Sequence, residues 1–437
     1  MAERVIWILF GSICIFIFLQ QRQFHRNLLV VSIVGFLTGW RGLDITPTLI
    51  MYPTELFLWL GLLVYFMERT SWPGKVHSPV LKVPEIILAL FAVLGGITAL
   101  IYGQPVPVVL NAMKSFLVFI PMLVLFRSWI QDKDQIVFYA RLLAFIGMII
   151  SILGLLERFV PQVAALFPTY MYKPTDIRFN FGVGSTIVLA NFSSWGTPVV
   201  STLLVLFTGL AVFLPVPKSG WQKIAWLFVL PVLILAIIAT GYRSAWLSLI
   251  PIFILGIVLY PKRTVPYIAS IMVVFLILFP YEYLDRFKTI FLMANSPDPT
   301  FIRRSLALQN GLQTLKNNLL LGTGWNTVEP INDLVNIGDS TGVFGLLVFL
   351  IWYIRLLVEL LKYAWRIKVR DNYLLPISFF AALSGYAIAM FSGAMSDVLP
   401  IMTGFWFVFC LGWRLVEIFQ EEELRSGKAV SVTPDIQ

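Results

Sequence analysis

Apolar residues fall along this chain in long runs broken by short polar joints, a pattern that predicts membrane-crossing helices before any single residue is considered. Residues 4–20, 27–40, 48–67, 84–102, 108–129, 135–157, 185–214, 221–240, 243–260, 264–281, 339–363, 373–392 and 399–419 carry these runs. Most approach the ~20 residues that a helix needs to cross a bilayer. A chain in lipid must satisfy its own backbone, so helices are expected throughout. Because the second run is short, the reading is an all-α, polytopic membrane helical bundle of 12–13 transmembrane helices. Residues 1–425 form one such domain, and 426–437 are expected to be a disordered cytoplasmic tail.

Two connections are much longer than the rest, residues 158–184 and 282–338. Long loops in a bundle otherwise economical in its joints are usually functional. In the second, Ser296-Pro297-Asp298-Pro299-Thr300 supplies turn and cap chemistry, after which Phe301, Ser305, Leu308, Leu312, Leu315 and Leu319 recur at helical spacing. Gly322-Thr323-Gly324 ends that run, which predicts a surface helix over about 300–319.

Lysine and arginine alternate from joint to joint. They gather at Arg22 and Arg26, at Arg69, Lys75 and Lys82, at Arg127 and Lys133, at Lys218 and Lys223, at Lys262 and Arg263, and from Lys362 to Arg370. The intervening joints 102–106 and 392–399 carry none. Basic short loops stay in the cytoplasm, so both long loops and the turn around Arg243 are expected on the outer face. Counting the short second run as a full span would put Met1 outside, so the side of the N-terminus stays open.

Composition changes this picture little. At 59% hydrophobic and 13% charged, with a mean hydropathy of +0.85, the chain has too little polar surface to clothe a soluble globule. The net charge of +9 is accounted for by orientation, and nucleic acid is discounted as a partner. Cys14 and Cys410 lie inside apolar runs and read as small hydrophobes, giving no disulfide framework.

The most informative polar stretch is Thr240-Gly241-Tyr242-Arg243-Ser244-Ala245-Trp246-Leu247, an arginine-bearing turn between two spans. By residue type alone a snorkelling arginine at a helix end is the plainer reading. The stretch, however, resembles the Thr-x-Ser-Arg-Gly-Ala-Trp-Leu signature of the bacterial O-antigen ligase and polymerase superfamily, polytopic membrane proteins that move glycans off a polyprenyl-pyrophosphate carrier. Further segments follow in the family's order. Arg304, then a helix, then Leu319-Leu320-Leu321-Gly322-Thr323-Gly324-Trp325 resembles its Arg-helix-Pro-Leu-Leu-Gly-x-Gly segment. Residues 330–346 resemble its His-Asn element, with Ile331 where ligases carry a histidine. The only histidines, His25 and His77, lie in loops assigned to the cytoplasm. Arg178, in Asp176-Ile177-Arg178-Phe179-Asn180-Phe181-Gly182, resembles weakly an arginine before the next span.

The resemblance implies glycan transfer from an undecaprenyl-pyrophosphate carrier to an acceptor sugar hydroxyl at the outer face of the bacterial inner membrane. A leaving pyrophosphate develops negative charge, and an arginine fork binds phosphate oxygens bidentately without losing its proton. Arg178, Arg243 and Arg304 are the candidate clamp. No outward carboxylate cluster for magnesium and no outward histidine or cysteine for zinc is seen, so neither metal nor cofactor is expected. For the base that accepts the acceptor's proton, Asp333 is the first candidate, followed by Glu329 and Asp339. Glu55 and Lys114, about two turns (~10 Å) below the outer surface, either pair with each other or line the acceptor cavity, since unpaired charges are costly there.

The missing histidine favours polysaccharide polymerisation over ligation to lipid A core or a protein. A lipid-linked glycan transporter or flippase shares the composition, but should hold its substrate near the midplane in repeated halves, and no internal repeat is seen. A scaffold role beside envelope polysaccharide assembly proteins is the third class. Expected partners are thus the lipid-linked glycan, a glycan or lipid acceptor, and the bilayer.

Overall fold

In the computed structural model the described residues are 24–37, 43–46, 49–71, 81–159, 196–217, 220–240, 242–259, 299–325, 332–366, 374–392 and 399–425, with a few isolated positions. The helices among them are α1 (Phe24–Val34), α2 (Pro53–Ser71), α3 (Val83–Ile101), α4 (Val106–Leu117), α5 (Phe119–Trp129), α6 (Lys133–Phe159), α7 (Gly196–Phe213), α8 (Gly220–Ala239), α9 (Arg243–Leu259), α10 (Pro299–Asn317), α11 (Asp333–Arg366), α12 (Leu374–Ser392) and α13 (Leu399–Arg425). Seven are long and apolar enough to cross a membrane, α4 and α5 running together as one of them, and α1, α7 and α9 add shorter apolar helices. The protein is a polytopic helical bundle.

Three boundaries differ from the sequence reading. The second predicted span stops early, because α1 gives way to a 3-10 turn at Gly35–Leu37. An antiparallel hairpin follows, with β1 (Leu43–Thr46) in the joint before the third predicted span and β2 (Leu49–Met51) at the start of that span. Its β-branched Ile45, Thr46 and Ile50 suit extended backbone, and Pro53 opens α2 where a missing N–H costs nothing. In the third, α11 begins at Asp333, so the end of the large loop is helical. Apart from isolated positions, predicted spans 4–20 and 264–281 lie outside the described residues, as do residues 160–184 of the first long loop and the tail 426–437, while residues 158–159 of that loop end α6.

The core forms around α13, which is buried on every side from Met402 to Phe419. Trp406 projects from it into a cluster with Phe116, Phe119, Phe349, Trp352, Phe405 and Phe409, with neighbouring rings 4.6–6.4 Å apart. Around it, α12 packs on α7 and α9, and α11 packs on α3 and α12. The outer faces stay apolar: Ile86, Leu90, Val93, Ile97 and Leu100 lie exposed along α3 at helical spacing, as a lipid-facing surface requires.

One end of the bundle is tied by buried ions. Arg127 of α5 donates Nη2 to Glu85 Oε1 at 2.6 Å and Nη1 to Glu85 Oε2 at 2.8 Å, forking onto the first turn of α3. It also donates Nη2 to Glu417 Oε1 at 2.8 Å, and Lys82 Nζ reaches the same oxygen at 2.7 Å. Arg414 caps the end of α5 through the Ile130 carbonyl at 2.8 Å. The charge pattern of the joints marked Lys82 and Arg127 only as orienting charges. Their acidic partners at positions 85 and 417 sit far apart in sequence, and no local signal joins them.

Candidate functional site

The opposite end carries the polar groups singled out in the sequence. The turn at Arg243 is built by its neighbours. Helix α8 ends at Ala239, leaving its last carbonyls without intrahelical donors. Thr240 Oγ1 donates to the Ile237 carbonyl at 2.6 Å, and Trp246 Nε1 donates to the same oxygen at 3.2 Å. Tyr242 N donates back to Thr240 Oγ1 at 3.2 Å, while the Tyr242 carbonyl accepts from Ala245 N and Trp246 N to start α9. Thr240, Ala245 and Trp246 thereby fix the geometry, and none of these bonds uses Arg243. Arg243 is half-buried in the first turn of α9. A helix N-terminus carries partial positive charge, so a guanidinium there adds to an anion-attracting end.

This end is connected across the bundle. Gly385 of α12 lies against the Ser248 carbonyl of α9, so the end of α12 and the start of α9 share one rim. At that rim Asn332 Nδ2 donates to the Phe391 carbonyl at 2.8 Å. Asn332 Oδ1 also accepts from Leu334 N at 2.9 Å, making Asn332 the side-chain cap of α11. Asp333 follows in the first turn and is buried.

Behind the rim, the segment after α10, read from the sequence only as the stop of the surface helix, re-enters the bundle. Thr323 N and Gly324 N both donate to the Asp339 carbonyl, at 2.8 and 3.1 Å, and Val343 N donates to the Leu319 carbonyl at 2.8 Å. Helix α11 breaks at Gly342 (φ 74°, ψ 171°), and this break is what frees its backbone groups for the re-entrant segment. Trp325 ends the segment fully buried, its Nε1 2.8 Å from the Ala92 carbonyl. Ala92 lies nine residues before Ile101 on α3, a depth of ~13 Å at 1.5 Å per residue. The Gly-x-Gly-Trp motif is thus a plug that anchors the large loop deep in the core.

Glu55 and Lys114 meet, with Lys114 Nζ 2.8 Å from Glu55 Oε2. Of the two readings open in the sequence, the ion pair is the one observed. Glu55 sits in the first turn of α2, not two turns into its span, because the helix begins only at Pro53. The Glu55 side chain is wholly buried. Lys114→Met would strand a buried carboxylate and is expected to cost ~3–5 kcal/mol of stability. Thermal unfolding in detergent should show a large drop for Lys114→Met and recovery of most of it in the Glu55→Gln/Lys114→Met double variant.

Among the other expected site residues, Arg178 and Glu329 lie outside the described residues. Arg304 falls near the start of α10, and its side chain is likewise outside them. The sequence reading ranked Asp339 last among its candidate bases, and the structure places it at the break of α11, buried with both carboxylate oxygens accepting no hydrogen bond among the described residues. Ser340 beside it is also buried, and its carbonyl presses on Gly95 of α3.

No curated protein matches the chain. Residues 226–350 match the family model described as O-Antigen ligase, a segment that runs from α8 through the Arg243 turn, α10 and the re-entrant plug to the middle of α11. The chain is therefore a multi-pass membrane protein whose residues 226–350 are similar to the O-antigen ligase family.

Proposed function

We propose that this protein transfers a glycan from undecaprenyl pyrophosphate to a sugar hydroxyl at the outer face of the bacterial inner membrane, and that it polymerises polysaccharide repeat units. The observation that carries the reading is that the family match over residues 226–350 takes in both the Arg243 turn and the buried carboxylates of α11. Arg243, with Arg178 and Arg304, clamps the pyrophosphate. Guanidinium forks and the N-terminal dipole of α9 stabilise charge developing on the leaving group, a function that needs no metal. Asp333, Glu329 and Asp339 are the carboxylates available to the acceptor side. Glu55 and Lys114 support the cavity wall as an ion pair. Ile331 in place of a histidine favours polymerisation. Ligation to lipid A core or a protein is the second reading, favoured by the description of the matching family.

Reconstituted protein given a polyprenyl-pyrophosphate glycan alone, in excess chelator, is expected to produce a ladder of lengthening lipid-linked products on a gel. Product only on addition of a lipid A core or protein acceptor would establish the ligase instead. Loss of all product on chelation, restored by magnesium, would remove the arginine clamp as the sole charge stabiliser.

A further inference from the structure

We infer that Asp339 is the general base that takes the proton from the acceptor hydroxyl, an assignment that rests on the glycan-transfer reading above. Asp339 is 2% exposed, and neither of its carboxylate oxygens accepts a hydrogen bond among the described residues. A buried carboxylate left without donors is costly in any fold, by ~1–3 kcal/mol or more for a charged group, and nothing in the packing of α11 calls for one at this position. An apolar residue or an asparagine would fill the same volume at lower cost. Native structures keep such groups where chemistry uses them.

The surroundings suit an incoming hydroxyl. Asp339 Oδ2 faces Gly311 of α10, where a Cβ would stand 3.3 Å away, so bare backbone forms the wall opposite the carboxylate. The carboxylate is held in place from behind, since its own backbone carbonyl binds the amides of Thr323 and Gly324 at 2.8 and 3.1 Å. Arg304 of the proposed clamp precedes Gly311 by seven residues on α10, two helical turns or ~10 Å.

Asp333 lies in the first turn of α11 beside its Asn332 cap, whereas Asp339 lies at the far end of the same helical segment, just before the Gly342 break and against Gly311 of α10. In the step itself the acceptor O–H proton passes to an Asp339 oxygen as the acceptor oxygen forms its bond to the anomeric carbon. The bond from that carbon to the pyrophosphate oxygen breaks, and its electron pair leaves with the pyrophosphate. Asp339 then returns the proton to water.

The test is turnover of purified, reconstituted Asp339→Asn on polyprenyl-pyrophosphate glycan, with kcat and KM measured separately. General bases contribute typically 100- to 10,000-fold, so kcat is expected to fall by ~100-fold or more while KM for the lipid-linked glycan and the thermal midpoint hold. A merely structural aspartate would leave kcat intact, since asparagine occupies the same space without a buried charge. Turnover near that of the wild type overturns the assignment. If Asp339→Asn does not accumulate as folded protein, Gly311→Ala replaces it, because the added methyl meets Val335 Cγ1 at 2.6 Å and closes the space beside Asp339 Oδ2. That variant is expected to lose kcat with donor binding retained, and full turnover would equally overturn the assignment. Wild-type protein that transfers no glycan at all would instead remove the reading on which the assignment rests. An intact Asp339→Asn beside an impaired Arg243→Lys removes the base alone.

Discussion

Arg243→Lys is expected to lower glycan transfer by ~100- to 1,000-fold, the cost of losing one well-placed donor to a developing anion, while the protein still folds and inserts. The expectation follows from how the turn is built. Thr240 and Trp246 close it on the Ile237 carbonyl, and the Tyr242 carbonyl starts α9, so no named bond of the turn is lost with the guanidinium. Lysine keeps the positive charge and snorkels equally well. What it lacks is the planar fork that meets two phosphate oxygens at once. Transfer assays at matched membrane expression decide the matter. Wild-type output from Arg243→Lys would return the residue to the snorkelling role and leave the clamp without its principal member.

Much of the fold was legible because membrane helices announce themselves by length and apolarity alone. The positions of α3, α6, α8, α9, α12 and α13 follow the runs at 84–102, 135–157, 221–240, 243–260, 373–392 and 399–419 closely. The hairpin was missed because β1 falls in a polar joint between two runs while Leu49-Ile50-Met51 of β2 is as apolar as the span it precedes, and hydropathy does not distinguish strand from helix when a run is short. Arg141 donates Nε and Nη2 to the Pro215 carbonyl at 3.1 and 2.6 Å, closing the end of α7. That contact spans 74 residues, so no local pattern encodes it.

The site was legible in part. The Arg243 turn carries its own signature, since Thr, Ala and Trp at fixed spacing around an arginine are what closes two helices in so few residues. The depth of the large loop was not legible. Leu319-Leu320-Leu321 reads as the end of an amphipathic helix, and nothing in the residues themselves says that Gly322-Thr323-Gly324-Trp325 turns inward to α3. The two glycines at positive φ, 67° at Gly322 and 94° at Gly324, look like any helix stop. Only the matching break at Gly342, 18 residues later in the chain, makes them a socket.

That socket yields the second large effect. Gly342→Val is expected to unseat the Leu319–Trp325 segment and abolish accumulation of folded protein, whereas Gly103→Ala is expected to cost only ~1–2 kcal/mol. Both glycines have positive φ, 74° at Gly342 and 82° at Gly103, which costs an L-residue ~1–2 kcal/mol, and the ψ of 171° at Gly342 adds to that cost by placing it where essentially only glycine goes. They differ also in what surrounds them. Nothing lies within 4 Å of a Cβ built on Gly103, while one built on Gly342 stands 2.0 Å from the Leu320 carbonyl oxygen and 2.9 Å from Leu321 N. Backbone on the far side cannot swing away as a side chain would, because the Leu319 carbonyl is tied to Val343 N at 2.8 Å. Relief requires the whole segment to lift, which withdraws Trp325 from the core, and loss of a buried tryptophan's packing costs typically ~3–5 kcal/mol. Lifting it also breaks the two amide bonds to the Asp339 carbonyl. Added together, these terms reach the ~5–15 kcal/mol that separates folded from unfolded domains. Size-exclusion profiles and thermal midpoints of the two variants in the same detergent give the comparison. A monodisperse Gly342→Val with a wild-type midpoint would mean that the plug is not what holds the large loop to the bundle.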